Sequence, residues 1–266
     1  MKKFREVVII ANSTKKRETT LDRAIKVLEY LGDAQAEKNM SDIAKDLKIP
    51  NGTAYNILKT LESNKLIERD QSSKRYTLGF KLFQLGNKVD YIRELRNISM
   101  PYMRELTAET GETSQLGIIS EENLYFLEII EAPKNKKTRG TVGLSLPLYA
   151  PAAGKILLAF KSEEKRNELL QKIELKAYNM NTITDSEQLK KELEEIRKNG
   201  YAVDREEVFR GTTCLAMPIY NAEKEVIAAL GITGDTKRIK ENKKKNLDAI
   251  HHESLNISFK LGYQLA

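Results

Sequence analysis

Apolar residues first recur at helical spacing over residues 21–31. Leu21, Ala24, Ile25, Leu28 and Leu31 form the stripe of an amphipathic helix that Thr20 can cap. A polar loop over 32–39 follows. Ile43, Ala44 and Leu47 then mark one face of a short helix with Ser41 at its N-cap. Pro50 closes that helix, because it disfavours the helical region for Ile49. A second helix opens near Asn51 and carries Ala54, Ile57, Leu58 and Leu61 at i, i+3, i+4 and i+7. Its opposite face offers Thr53, Tyr55, Asn56, Lys59 and Thr60, all able to hydrogen-bond to bases or phosphates. Residues 66–69 and 75–78, split by a polar turn over 70–73, predict a two-stranded wing with a basic tip. Helix, tight turn, polar-faced helix and wing together make a winged helix-turn-helix.

Residues 80–97 predict a linker helix. Pro101 is placed in the first turn of a further helix over 100–110, which Gly111 stops. From residue 112 the period shortens. Apolar runs over 113–119 and 124–130 around a polar turn predict a β-hairpin. A basic loop over 133–139 and a strand or loop over 140–148 follow. Pro151 starts an apolar helix that reaches Ala159, and amphipathic helices are expected over 162–173 and 185–198. Strands are expected over 201–203, 215–220 and 226–233, then one long helix over 236–265. This mixture predicts an α+β domain on an antiparallel sheet. The domain reading is a basic arm over 1–18 (a strand over 6–11 is compatible with it), a winged helix-turn-helix over 19–80, a linker helix over 81–98 and an effector domain over 99–266.

Charge sharpens this division. Residues 1–90 hold 18 Lys and Arg against 12 Asp and Glu, so most of the net charge of +7 lies at the end with the helix-turn-helix pattern. That asymmetry fits a polyanion at one end only. A single cysteine, Cys214, excludes an internal disulfide and points to a reduced, cytoplasmic setting. No apolar run approaches a membrane span, and residues 7–10 are too short for a signal-peptide core.

Candidate chemistry is sparse. The segment AAGK at 152–155 lacks the first glycine and the Ser or Thr of a phosphate loop, so Gly154 reads as close packing at a helix start. Asp204, Glu206 and Glu207 form an acidic cluster expected to be solvated or paired with Arg205 and Arg210. Cys214 needs a base beside it to act as a nucleophile. The only histidines, His251 and His252, are neighbours on a helix and cannot face one metal together. No catalytic set, metal site or cofactor is expected.

Seven collinear stretches over roughly 20–262 carry a resemblance. They are LDRAIKVLEYL, SDIAKDLKIPNGTAYNILKTLESNKLIERD with RYTLGFKLFQLG, TGETSQLGI, LPLYAPAAGKILLAF, NTIT, LEEIRKNGYAVDREEVFRGTTCLAMPIY and AALGITG. In order and spacing they resemble the IclR family of bacterial transcriptional regulators. The resemblance implies an operator-binding winged helix-turn-helix, a linker helix and a GAF-like α/β domain for a small organic-acid effector. It also implies a dimer or tetramer on near-palindromic double-stranded operator DNA.

The candidate DNA-contacting residues are Ser41, Thr53, Tyr55, Asn56, Lys59, Lys74 and Arg75. The resemblance implies effector contacts at Leu146, Ala152, Ala153, Asp204, Cys214, Gly231 and Thr233. Gly231 and Thr233 share a strand face. Backbone N–H groups at the helix start by Ala152 suit a carboxylate, which leaves Asp204 for a hydroxyl or hydrated carbonyl. The chain departs from many members at Asn56, Tyr149, Pro151 and Gly231. The expected function is an effector-responsive repressor of a metabolic operon. The rival readings are an enzyme on a small acid, using Cys214 and the 204–207 carboxylates, and a non-specific nucleic-acid binder.

Overall fold

Residues 18–33, 37–133, 142–143 and 145–265 are described by the computed structural model. Residues 1–17 of the expected arm over 1–18, with the strand at 6–11, and residues 134–139 of the expected basic loop over 133–139 lie outside them. The chain divides into two compact units, residues 1–90 and 91–266.

In the first unit α1 spans Thr20–Asp33, α2 Met40–Asp46 and α3 Asn51–Ser63. Their facing sides bury Val27, Ile43, Ala44, Ala54, Ile57 and Leu58. Strands β1, Ile67–Arg69, and β2, Tyr76–Leu78, pair antiparallel and add Ile67 and Tyr76 to that core. Three expectations change. Leu21 and Ile25 of the expected stripe are exposed; Leu31 is buried with Ala24 and Leu28 packed beside it, and Val27 joins them from outside the stripe. The hydroxyl that caps α1 is that of Thr19, which accepts from Asp22 N at 3.1 Å. The cap of α2 is Asn39, not Ser41. Lys38 bridges Tyr76 of β2, which leaves Asn39 extended, and its Oδ1 accepts from Asp42 N at 2.9 Å. Ser41 lies within the first turn of the helix.

The expected helix over 80–97 is two helices. α4, Phe80–Gly86, is ended by Asn87, whose Nδ2 donates to Phe83 O at 2.9 Å. α5 runs from Asp90 to Thr110, and Pro101 sits inside it rather than in a first turn. The absent proline N–H removes one bond from that helix without ending it.

The second unit is built on a six-stranded antiparallel sheet of order β5-β4-β3-β8-β7-β6. The strands are β3 Thr113–Ser120, β4 Asn123–Ile130, β5 Ser145–Pro147, β6 Ala202–Arg205, β7 Thr212–Tyr220 and β8 Val226–Asp235. One face of the sheet packs on α6, Ala152–Ala159, which α8, Ser186–Asn199, covers in turn. α7, Glu163–Lys172, precedes α8. The other face buries Val203, Leu215, Met217, Leu230 and Ile232 in a core shared with Met103 and Leu106 of α5 and the C-terminal helix. Side-chain alternation therefore sends Leu215 and Met217 one way and Cys214 and Ala216 the other. The expected long helix over 236–265 is also broken. α9, Thr236–Glu241, ends at Asn242, whose Nδ2 donates to Arg238 O, and α10 spans Lys243–Lys260.

Candidate nucleic-acid interface and effector site

Helix α3 packs through Ala54, Ile57, Leu58 and Leu61, so Tyr55, Asn56 and Lys59 face solvent and Thr53 is half-buried. Ser41, on α2, is exposed as well. The wing tip is locked by one side chain that the residue pattern did not flag. Asp70 Oδ1 accepts from Ser73 N at 2.6 Å, Ser72 N at 3.0 Å and Ser72 Oγ at 2.6 Å. These bonds, led by that of Ser72, hold its carboxyl well below the usual carboxylate range. The turn closes with Asp70 N donating to Arg75 O at 2.9 Å, and it presents Lys74 and Arg75 exposed at the tip.

In the second unit Asp204 of β6 lies in register with Cys214 of β7, and Cys214 with Thr233 of β8. The three side chains thus form one row across three strands, on the α6 face. Cys214 Sγ donates to Thr233 Oγ1 at 3.2 Å. Asp204, 3% exposed, accepts from Glu207 N through Oδ1 at 2.6 Å. Burial pushes the Asp204 carboxyl up to about 7. The Glu207 amide bond opposes the rise, the Glu207 carboxylate adds to it and the Lys155 ammonium lowers it. Burial and then the Asp204 charge push the Cys214 thiol well above its ordinary value, so the thiolate a nucleophile needs is disfavoured.

Gly231 sits two residues before Thr233, opposite Ala216. A Cβ there would meet Leu215 O at 2.6 Å, so the strand tolerates only glycine without shifting. Ala152 and Ala153 are buried at the start of α6, capped by Pro151 with no side-chain bond. Gly154 is the close-packed helix start expected of it, since a Cβ would overlap the Leu148 carbonyl oxygen. Leu146 is half-buried on β5, which lies at the opposite sheet edge from β6. The fold therefore gathers Asp204, Cys214, Thr233 and Gly231 and keeps Leu146 away from that row. Tyr149 is buried. Its hydroxyl donates to Lys176 O at 2.7 Å and accepts from Lys176 N at 2.8 Å.

Of the acidic cluster, Asp204 and Glu207 are buried and form no ion pair with Arg205 or Arg210, while Glu206 stays half-exposed as expected. Glu207 is buried, and its cation is Lys155, whose Nζ lies 2.6 Å from Glu207 Oε1. Lys155 is wholly buried and also donates to Val203 O at 2.7 Å and to Glu192 Oε1 at 3.4 Å. Arg205 pairs instead with Glu192 at 2.9 Å. Glu206 accepts from Gly211 N at 2.7 Å. Burial raises the Glu207 carboxyl despite the ammonium beside it. The residue pattern missed Lys155. The signal was a lone cation inside an otherwise apolar helix, which requires a buried anion.

Among the described residues no group of three His, Cys, Asp or Glu is placed to hold a metal ion. No helix among them is long and apolar enough to cross a membrane. A surface depression of about 570 Å³ is lined by Glu163, Arg166, Glu194, Arg197 and Lys198, and none of the residues considered above lines it.

The sequence model of the IclR helix-turn-helix domain matches residues 20–71. That of the bacterial transcriptional regulator IclR C-terminal domain matches residues 90–259. The transcriptional regulator XynR of Escherichia coli K12 is 31% identical over 245 residues, covering 92% of this chain and 97% of XynR. The transcriptional repressor AllR of the same organism is 30% identical over 223 residues, covering 84% of this chain and 82% of AllR. The solved structure of an IclR homolog of Microbacterium hydrocarbonoxydans, complexed with 4-hydroxybenzoate, superposes with a TM-score of 0.83. It is 26% identical and covers 91% of this chain and 99% of that one. The chain belongs to the IclR family: it is a DNA-binding transcriptional regulator with an N-terminal helix-turn-helix and a C-terminal α/β effector domain, and not an enzyme.

Proposed function

We propose that this regulator is a cytoplasmic repressor of a metabolic operon, released from its operator by a small organic acid. The observation that carries the reading is the Asp204–Cys214–Thr233 row beside the start of α6. It offers polar partners for a small ligand and lacks an activated nucleophile. The helix start at Ala152 and Ala153 takes the carboxylate. Asp204 takes a hydroxyl or hydrated carbonyl of the same ligand. Gly231 shapes the apolar remainder. The 4-hydroxybenzoate of the Microbacterium homolog is an acid of this kind, and AllR is named a repressor.

On the DNA side α3 enters the major groove. Thr53, Tyr55, Asn56 and Lys59 meet bases or phosphates, Ser41 meets the backbone, and Lys74 and Arg75 grip it from the wing. Asn56 is suited to adenine. Residues 81–98 act as the linker between residues 19–80 and 99–266. The protein works as a dimer or tetramer, so that two reading heads meet two half-sites. Effector binding favours the conformation with the wrong head spacing.

Footprinting on DNA upstream of the protein's own gene tests this. It is run alone, with 4-hydroxybenzoate, and with a panel of 2-hydroxy and 2-oxo carboxylic acids. Protection that one acid relieves supports the reading. Protection that no acid changes overturns the effector part, and equal binding to scrambled duplex overturns the operator part.

A further inference from the structure

Helix α6 is Ala-Ala-Gly-Lys-Ile-Leu-Leu-Ala, and every residue in it is buried, the lysine included. Burying an ammonium is costly, and replacing a buried ion pair by apolar side chains of similar volume is often neutral or stabilising. Stability alone is therefore a weak reason for Lys155. Its bonding pattern supplies another. Val203, whose carbonyl it holds, immediately precedes Asp204. Glu207, whose carboxylate it holds, closes the turn on Asp204 through its backbone N–H. Arg205 N also reaches Glu207 Oε1, at 3.3 Å. One ammonium thus grips both flanks of Asp204. The far side of the same turn is held by Thr182 Oγ1, 2.6 Å from Glu207 O, and by Asn179 Nδ2 at 3.2 Å. Lys155 itself stands in the opening turn of α6, where its N–H donates to Pro151 O at 3.0 Å.

We propose that Lys155 is the positioning residue of the effector site: it ties the start of α6 to the 203–207 turn and so fixes the separation between the carboxylate-binding helix start and the Asp204 carboxyl. The inference rests on the effector reading given above. Lys155 touches no ligand in this account; it sets the span that a ligand must bridge. Site residues held within a fraction of an ångström by buried partners bind selectively, and a loosened span costs affinity.

The competing account is that Lys155 merely neutralises Glu207. Three full-length variants separate the two: Lys155→Met, Glu207→Gln and the double variant, which removes both charges and retains volume. The first readout is hydrogen exchange of the Glu207 amide, whose proton is held by Asp204, referenced to the Ile219 amide elsewhere in the domain. The second is calorimetric titration with the acid panel. Lys155→Met and the double variant are both expected to speed Glu207 exchange by about tenfold relative to Ile219 and to weaken acid binding by about tenfold. Glu207→Gln, which leaves the Val203 tether, is expected to change both less. Wild-type behaviour in the double variant makes the ammonium a counter-charge and overturns the proposal, as does an unaltered Lys155→Met protein. If the wild type binds no acid while exchange responds as expected, the effector reading fails and the tether stands.

Discussion

Cys214 Sγ lies 3.2 Å from Thr233 Oγ1 across the β7–β8 pair, so the only cysteine in the chain is a half-buried, hydrogen-bonded member of a polar row. A thiol held this way, with its ionisation pushed up by burial and by Asp204, reacts slowly. Alkylation by iodoacetamide at pH 8 is expected to be at least about tenfold slower than for free cysteine, and to reach the free rate in urea. A native-state rate equal to that of free cysteine contradicts the environment described for Cys214.

Asp204 gives the folded protein a proton that the unfolded chain releases earlier. Its carboxyl is raised to about 7 in the fold, whereas an unfolded Asp titrates near 3.9. Between these values the native state binds more protons than the unfolded state. The contribution of Asp204 to stability is therefore fully present below about pH 4 and is lost as the pH rises to about 7. Wild-type stability relative to Asp204→Asn is expected to fall across that window by up to about 4 kcal/mol. Urea melts at several pH values measure it. A difference that is flat from pH 4 to 7 rejects the raised carboxyl.

The cap of α2 separates two neighbouring polar residues. Asn39→Ala removes the bond to Asp42 N and is expected to cost about 1 kcal/mol. Ser41→Ala is expected to change stability by less than about 0.5 kcal/mol. Chemical denaturation of the two variants decides, and the reverse ranking returns the cap to Ser41.

Operator binding should divide in the same way between specificity and charge. Asn56→Ala is expected to cost about 1–3 kcal/mol on the preferred operator and to relax the choice of base at one position. A Lys74→Ala, Arg75→Ala double variant is expected to weaken all duplexes alike and to lower the slope of log affinity against log salt by about 2. Mobility shifts over a salt series provide both numbers. If neither variant changes affinity, these residues have been given the wrong roles.

Gly154 is required by packing rather than by backbone conformation. Its added Cβ would overlap the Leu148 carbonyl, so Gly154→Ala must push α6 off the sheet or shift the 148–151 turn. The expected loss is about 1–3 kcal/mol or more, together with weaker acid binding because the helix start moves. Thermal melting and titration with the acid panel check both. An Ala variant as stable as wild type shows that the turn can give way.

The helix-turn-helix was legible because its signals are local. Ala54, Ile57, Leu58 and Leu61 are spaced to one helix face, and the residues between them were read correctly as the outer face. The strands were legible in part for the same reason: Thr233 falls in the strand expected over 226–233, whereas Cys214 precedes the one expected over 215–220 and joins β7 only in the structure. Caps and breaks were less so. Thr19 and Asn39 displaced Thr20 and Ser41 because a cap depends on where the preceding chain is pinned, as Lys38 is pinned to Tyr76. Asn87 and Asn242 end helices through bonds to Phe83 and Arg238, which a run of helix-compatible residues does not disclose.

By itself the sequence determined the kind of protein: a basic helix-turn-helix end, an α+β end and family motifs in order. These follow from periodicity, composition and spacing, all written along one dimension. Only the tertiary structure decided the electrostatics of the site. It chose Lys155 over Arg205 and Arg210 as the partner of Glu207, and it buried Asp204 on the α6 face of the sheet. The reason is physical. A charge's partner and its distance from water are set by residues remote in the chain, here 52 positions from Lys155 to Glu207, which no local pattern encodes.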